Sequence, residues 1–311
     1  MLKACRNYHI IAGLPDPLLV PRQGMAMVCI VCGNPQTAGL AAWHATCPAC
    51  HYESAALSVA INEHTGPEVN EAEREAGLKA LRLENFRAIV QYAKRHARPG
   101  ARRLLDVGSA HGWFLETARD DFDVLGVEPD AVVGSRAAAR GLPVRAGFFP
   151  DVLRDDERFD VIVFNDVIEH IPDIGSALEA CRQRLDREGI LILNLPSSSG
   201  FFYQLSKFIA RLGWRTPFER LWQKDLPSPH VHYFSPANLS KLVAGRGFEL
   251  VDSAELPALR AKGLRERLSC AGNVSPVSLW VQYIAIMCAI PVLKIFPSDI
   301  IVCIFRKKTA G

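Results

Sequence analysis

Strong charge of either sign is missing from this chain. Its 311 residues hold 36 Lys and Arg against 33 Asp and Glu, a net +3, which gives no electrostatic reason to expect a nucleic-acid partner. Internal repeats and low-complexity tracts are missing too, which excludes solenoid and fibrous architectures. The first 24 residues lack an apolar core followed by a cleavage site and carry Pro15, Pro17 and Pro21, so no secretory signal is expected. Between Cys29 and Glu68 there is no Lys or Arg, and from Leu268 to Leu293 there is no charged residue at all. The remaining composition, 49% hydrophobic and 22% charged, is that of a folded globular chain with room for one large domain and an accessory module.

The nine cysteines are unevenly placed. Four form Cys29-x2-Cys32 and Cys47-x2-Cys50, separated by 14 residues, and five are scattered. Two such knuckles can set four thiolates tetrahedrally around one Zn2+, a pattern of a reducing compartment rather than of a disulfide framework. Residues 28–62 are therefore expected to be a zinc ribbon with a structural metal, because so short a unit has too little core to stand without a staple. His44 and His51 could replace a thiolate but are not needed. Residues 1–27, with Met25 and Met27 just ahead of the ribbon, are expected to be a disordered extension. The ribbon's lack of cations argues against phosphate contacts and hence against nucleic acid.

Asn70 and Glu73 then form a capping-box pair that opens a linking helix expected over 70–98. Ala76, Leu83, Phe86, Ile89, Val90 and Ala93 give it an apolar face, and Pro99-Gly100 stops it. Beyond it, strands are expected near 103–107, 123–127, 142–145, 159–165, 189–195, 247–254 and 299–305. Helices are expected near 112–120, 130–140, 174–187 and 236–246. This alternation predicts an α/β domain over 99–311: a doubly wound, mostly parallel, seven-stranded sheet. Two segments interrupt it, 197–235 and 256–298.

The stretch from Arg103 to Thr117 carries the most information. A buried strand ends at Asp106, turns through Gly108, Ser109, Ala110 and Gly112, and enters a helix. Such a turn aims backbone N–H groups and a helix N-terminus at a ligand. The spacing is Asp-x-Gly-x-x-x-Gly; the third glycine of the dinucleotide fingerprint is absent, with Trp113 in its place. A carboxylate beside free N–H groups suits the ammonium, carboxylate and sulfonium of S-adenosylmethionine better than it suits a diphosphate. Glu128, at the end of the second strand, can accept hydrogen bonds from ribose hydroxyls. The fourth strand leads through Asn165 to Glu169-His170, and the fifth ends Asn194-Leu195-Pro196.

With these in order, residues 100–255 resemble a class I S-adenosylmethionine-dependent methyltransferase with a Rossmann-like fold. They look like the bacterial group that includes ubiquinone-pathway O-methyltransferases and many sugar, lipid and small-molecule methyltransferases. That family's turn is usually Asp/Glu-x-Gly-x-Gly-x-Gly, and Ala110 stands here for the middle glycine. The resemblance implies that Asp106, Gly108, Ala110 and Gly112 line the methionine part of the cofactor and that Glu128 binds its ribose. It also implies that Asn165 lies near the methionyl group and that Phe148 or Phe149 lies against the adenine. A zinc ribbon ahead of a small-molecule methyltransferase is familiar in bacterial saccharide and cell-surface pathways, so the resemblance extends to most of the chain.

Methyl transfer needs near-attack geometry away from water, and a hydroxyl acceptor adds the need for a base. His170 is one candidate. His230 and His232 are others, since their alternation puts both on one face of an extended piece. A metal held by this pair with Glu169 is the lesser alternative. Segment 197–235 mixes Phe201, Phe202, Tyr203, Trp214, Phe218 and Trp222 with five cations and is expected to close over the cofactor as a lid; an amphipathic helix with solvated cations is the plain alternative. In 256–298, a membrane span is rejected because the following strand must return to the same sheet. A helix lying on an anionic membrane surface, a homodimer contact, a lid for a lipid-like substrate and burial in the chain's own core remain open. The expected activity is methylation of a small-molecule, saccharide or lipid-linked acceptor, oxygen favoured, in the cytoplasm or peripherally at the inner face of the membrane. The alternatives are an RNA methyltransferase and a non-catalytic cofactor-binding protein.

Overall fold

The computed structural model describes residues 27–60, 71–261, Leu264, Leu268 and 275–308. The extension expected over 1–27 lies outside them apart from Met27, as does the capping residue Asn70. Strands β1 (Thr37–Ala38), β2 (His44–Thr46) and β3 (Glu53–Ala55) come first and pair antiparallel in that order. Helix α1 (Glu71–His96) is followed by β4 (Arg103–Val107), α2 (Trp113–Ala118), β5 (Asp123–Glu128), α3 (Ala131–Ala139), β6 (Val144–Ala146) and β7 (Phe159–Asn165). A 3-10 turn at Ile168–His170 leads to α4 (Ile174–Arg184), β8 (Leu185–Pro196), α5 (Phe201–Arg211), α6 (Thr216–Leu221) and β9 (His232–Tyr233). The described elements close with α7 (Pro236–Ala244), β10 (Phe248–Leu256), α8 (Pro276–Leu293) and β11 (Ile300–Lys307).

The main sheet is ordered β6-β5-β4-β7-β8-β11-β10, parallel from β6 to β8, with β11 antiparallel to both of its neighbours. Strand order reverses between β4 and β7, which opens a crevice at their carboxyl ends. β7 shows why this part was readable: six of its seven residues are buried, the continuous apolar run of a strand covered on both faces. Leu104, Val161, Ile190 and Val302 face Phe86, Ile89, Val90 and Ala93 of α1. Leu105, Ile162, Leu191 and Cys303 turn the other way, into a core shared with Leu178 of α4 and Leu239 of α7. Each such aliphatic or aromatic side chain stabilises the fold by roughly 1.5–3 kcal/mol when fully buried.

Two expectations shift. The helix expected over 174–187 ends at Arg184, because Leu185 already pairs with Phe159 before the register slips to Val161↔Ile190. Lys307 Nζ donates to the Leu185 carbonyl at 2.7 Å and pins that early pairing. The second shift concerns the ribbon, which does not stand alone. β3 pairs with β9, placing Ser54 opposite His232, and Cys29, Cys47 and Tyr52 share a core with Phe234 and Leu239. Segment 197–235 lies against the ribbon: Trp43 stacks on Phe218 at 5.8 Å and meets Trp222 edge-on at 5.6 Å.

Candidate functional site

The turn after β4 carries three residues with left-handed backbone: Gly108 (φ 72°), Ala110 (φ 44°) and Gly112 (φ 73°). The strained one, Ala110, is held by its N–H, which donates to Glu128 Oε2 at 2.7 Å. At Gly108 a Cβ would sit 2.5 Å from Val167 Cγ2, so this position needs glycine for space as well as for φ. Asp106 is 1% exposed and accepts a hydrogen bond from Asn165 Nδ2 at 3.1 Å. Burial, helped by the charge of Glu128, pushes its carboxyl up to about 8. The buried Ser109 Oγ, Asn165 Oδ1 and Asn194 Oδ1 have no hydrogen-bond partner among the described residues. A buried acid together with three orphaned polar atoms fits a ligand bearing an ammonium and hydroxyls, as S-adenosylmethionine does. Glu128 is also buried; its Oε1 accepts from the Asp130 N–H at 2.8 Å, which leaves carboxylate lone pairs for a ribose. Phe149 is core, edge-on to Phe164, so Phe148 is the half-buried ring of that loop.

Beyond β7 the 3-10 turn sets Glu169 and His170 against the segment entering β9. Val231 N–H donates to the Glu169 carbonyl at 2.9 Å, and this brings His230 to His170 with ring centroids 4.7 Å apart. Glu169 Oε1 lies 4.0 Å from Nε2 of both histidines. The Glu169 side chain is buried, and neither carboxylate oxygen has a hydrogen-bond partner among the described residues. Burial, with Asp166 nearby, holds its carboxyl well above the usual range, while burial holds His230 well below its ordinary value. The Pro229 carbonyl can only accept, so His170 Nδ1 donates to it at 2.8 Å and Nε2 is the acceptor nitrogen of the neutral ring.

His232 is not brought into this cluster. Its Nε2 donates to the Ile171 carbonyl at 2.9 Å, so Nδ1 is the acceptor for the Tyr52 hydroxyl. Both ring nitrogens are satisfied in the neutral form, and burial pushes its pKa down to about 4. Tyr52 and Gln223, whose Nε2 lies 2.9 Å from His230 Nε2, were not among the sequence candidates. Separation hides Tyr52, which is 180 residues from its partner.

The four ribbon cysteines do converge. Cys29 Sγ is 3.5 Å from Cys50 Sγ, Cys32 Sγ is 3.4 Å from Cys47 Sγ, and all four lie within 4.8 Å of one another. A tetrahedron with Zn–S of about 2.3 Å has edges of about 3.8 Å, so the set fits Zn2+. Each knuckle turns on one left-handed residue, Gly33 (φ 75°) or His51 (φ 59°). His44 is occupied with Glu53 at 2.8 Å.

Comparison with known proteins agrees with the fold. A methyltransferase-domain profile matches residues 75–253. The ubiquinone biosynthesis O-methyltransferase of Azorhizobium caulinodans is 29% identical over 161 residues, covering 49% of this chain and 60% of the relative. That of Paramagnetospirillum magneticum is 29% identical over 152 residues, covering 46% and 58%. The chain thus spans about three fifths of the length of these curated relatives. Among solved structures, an S-adenosylmethionine-dependent methyltransferase of Thermotoga maritima, described as a possible histamine N-methyltransferase, superposes with a TM-score of 0.51 at 19% identity over 77% of this chain and 95% of its own. A cyclopropane synthase of Mycobacterium tuberculosis gives 0.50 at 17% identity, over 71% and 83%. The seven-stranded order, the acidic turn and the matched profile lead to one conclusion: the chain belongs to the methyltransferase-domain family and has the class I methyltransferase fold.

Proposed function

We propose that this enzyme methylates an oxygen of a small-molecule, saccharide or lipid-linked acceptor, with His170 as base and Glu169 and His230 around it. The observation that carries the base is the buried Glu169 carboxylate, without a hydrogen bond among the described residues, 4.0 Å from both imidazoles. Support for oxygen comes from the curated relatives, which are O-methyltransferases. When bound, S-adenosylmethionine supplies a methyl carbon made electrophilic by its sulfonium. Asp106, Asn165 and Glu128 would hold its polar groups, with Gly108, Ala110 and Gly112 as the backbone cradle and Phe148 against the base. His170 Nε2 takes the acceptor's proton, and the imidazolium that results favours ionisation of the buried Glu169 carboxyl beside it, which then pairs with it. His232 positions the segment and does not act as a base. Zn2+ on Cys29, Cys32, Cys47 and Cys50 serves structure, since all four ligands come from the protein.

A test is transfer from labelled methyl donor to fractionated cell extract. His170→Ala should lower turnover by roughly 10²–10⁴-fold with cofactor affinity held; equal loss of both would show that His170 only builds the fold. A second reading has Glu169, His170 and His230 bind a divalent cation, supported by ligand atoms that lie within 4.8 Å of one another. Metal content separates the readings: one zinc per chain goes with the base, while a second ion lost in His170→Ala goes with the cation.

A further inference from the structure

Helix α8 contains no charged residue, and none of its described side chains is buried. Val277, Val281, Ile284, Cys288, Val292 and Ile295 recur at helical spacing as one exposed apolar stripe, with Trp280 beside it. Val277 is 75%, Val281 63% and Ile284 55% exposed, values foreign to an ordinary surface helix. No helix among the described residues is long and apolar enough to cross a membrane, and α8 is exposed along one side through its length.

A second element shares this surface. Helix α5 exposes Leu205, Phe208 and, just past its end, Leu212 and Trp214. The two are joined where Phe201 meets Phe296, ring centroids 4.7 Å apart, and where Phe201 N–H donates to the Pro297 carbonyl. Between them opens a cavity of about 220 Å³ lined by Phe201, Phe202, Leu256, Leu259, Ile290 and Leu293. Charge follows the same pattern. Among the described residues of 200–215 and 257–297 there is no Asp or Glu; Lys207 and Arg260 pair with Glu53 and Glu84 outside them, and Arg211, Arg215 and Lys294 are exposed. Both segments leave the sheet at the end of β8 or return to it at the start of antiparallel β11, which is the edge where Asp106 and Asn165 end their strands.

We propose that α8 and α5 form one docking face for an anionic phospholipid bilayer, with the cofactor edge of the sheet turned toward the membrane. The apolar stripe enters the interface while the cations meet the headgroups. This inference does not depend on the acceptor atom, because binding is read without turnover. The test is flotation of the full chain with phosphatidylcholine vesicles, with and without phosphatidylglycerol. The chain should float with the mixed vesicles and lose its hold at high salt. Val281→Gln together with Ile284→Gln, at exposed positions where Gln keeps helix propensity, should weaken retention at least about tenfold. Arg211→Gln and Arg215→Gln should each cost about fivefold. Absence of flotation, or unchanged retention in the stripe variant with its thermal melt intact, overturns the proposal. A stable dimer that the stripe variant splits into monomers overturns it too, assigning the face to a second copy.

Discussion

The ribbon and helix α8 are both additions to the same sheet, and they meet the rest of the molecule in opposite ways. The ribbon is docked through matched polar groups. Its buried Glu53 accepts from Lys207 Nζ at 2.6 Å and from the Tyr203 hydroxyl at 2.8 Å, both on α5, and lies 2.8 Å from His44 Nε2. Tyr52 reaches His232, and Asn238 Nδ2 donates to the Cys50 carbonyl at 3.2 Å. Helix α8 offers apolar surface that the other described residues leave exposed. The first contact is complete within the chain and sets the His230 segment in place. The second has no such counterpart among the described residues.

Removing the metal proposed for the ribbon should have the largest effect on this contrast. Structural zinc contributes on the order of 10 kcal/mol in small zinc modules, so Cys32→Ser with Cys47→Ser should melt the ribbon and release the β9 segment. Methyl transfer should collapse while vesicle flotation by α8 survives; loss of both together would show that the two regions are not separate. Next comes Lys207→Met, which leaves Glu53 buried without its ammonium and should cost about 3 kcal/mol or more in a denaturant titration. Burial pushes the Glu53 carboxyl up, but the hydrogen bond with His44 and the charge of Lys207 outweigh it and leave the group below its ordinary value. Its contribution is therefore full above the unfolded carboxylate range and is lost as pH falls through the lowered folded value. Acid should loosen the ribbon joint first, and Lys207→Met should flatten that acid limb of the stability curve.

Tyr52→Phe should cost about 1–3 kcal/mol by leaving His232 Nδ1 unsatisfied. Turnover should drop with cofactor affinity unchanged, and a matching loss in cofactor affinity would remove the positioning role. The smallest effect belongs to the α8 stripe, where Val281→Gln with Ile284→Gln should leave unfolding free energy within about 0.5 kcal/mol of wild type. A larger loss would show that the stripe is covered in the native state.

Strands β4 and β7 match the expected 103–107 and 159–165 at both ends, since burial on both faces writes a continuous apolar run into the sequence. The cofactor turn was legible for a similar reason: Asp106, Gly108, Ala110 and Glu128 lie within one strand–helix–strand unit, where spacing translates into position. The ribbon joint was not. Tyr52 with His232 and Glu53 with Lys207 are joined across 180 and 154 residues, and a two-residue strand such as β9 leaves no periodicity to read. Alternation marked His230 and His232 as a pair, yet each finds a different neighbour, His170 for one and Tyr52 for the other.

The antiparallel strand β11 lies between β8 and β10, although β10 is made first. During synthesis β10 therefore has no sheet neighbour to join, and the edge of β8 stays open until residues 300–307 arrive. Such late, long-range closure is slow and exposes unpaired edges. Helix α8 precedes β11 in the chain, so its apolar stripe emerges while the sheet is still open. A nascent chain that met a bilayer through α8 would finish its sheet already at the membrane, so the order of translation would set where the sheet closes.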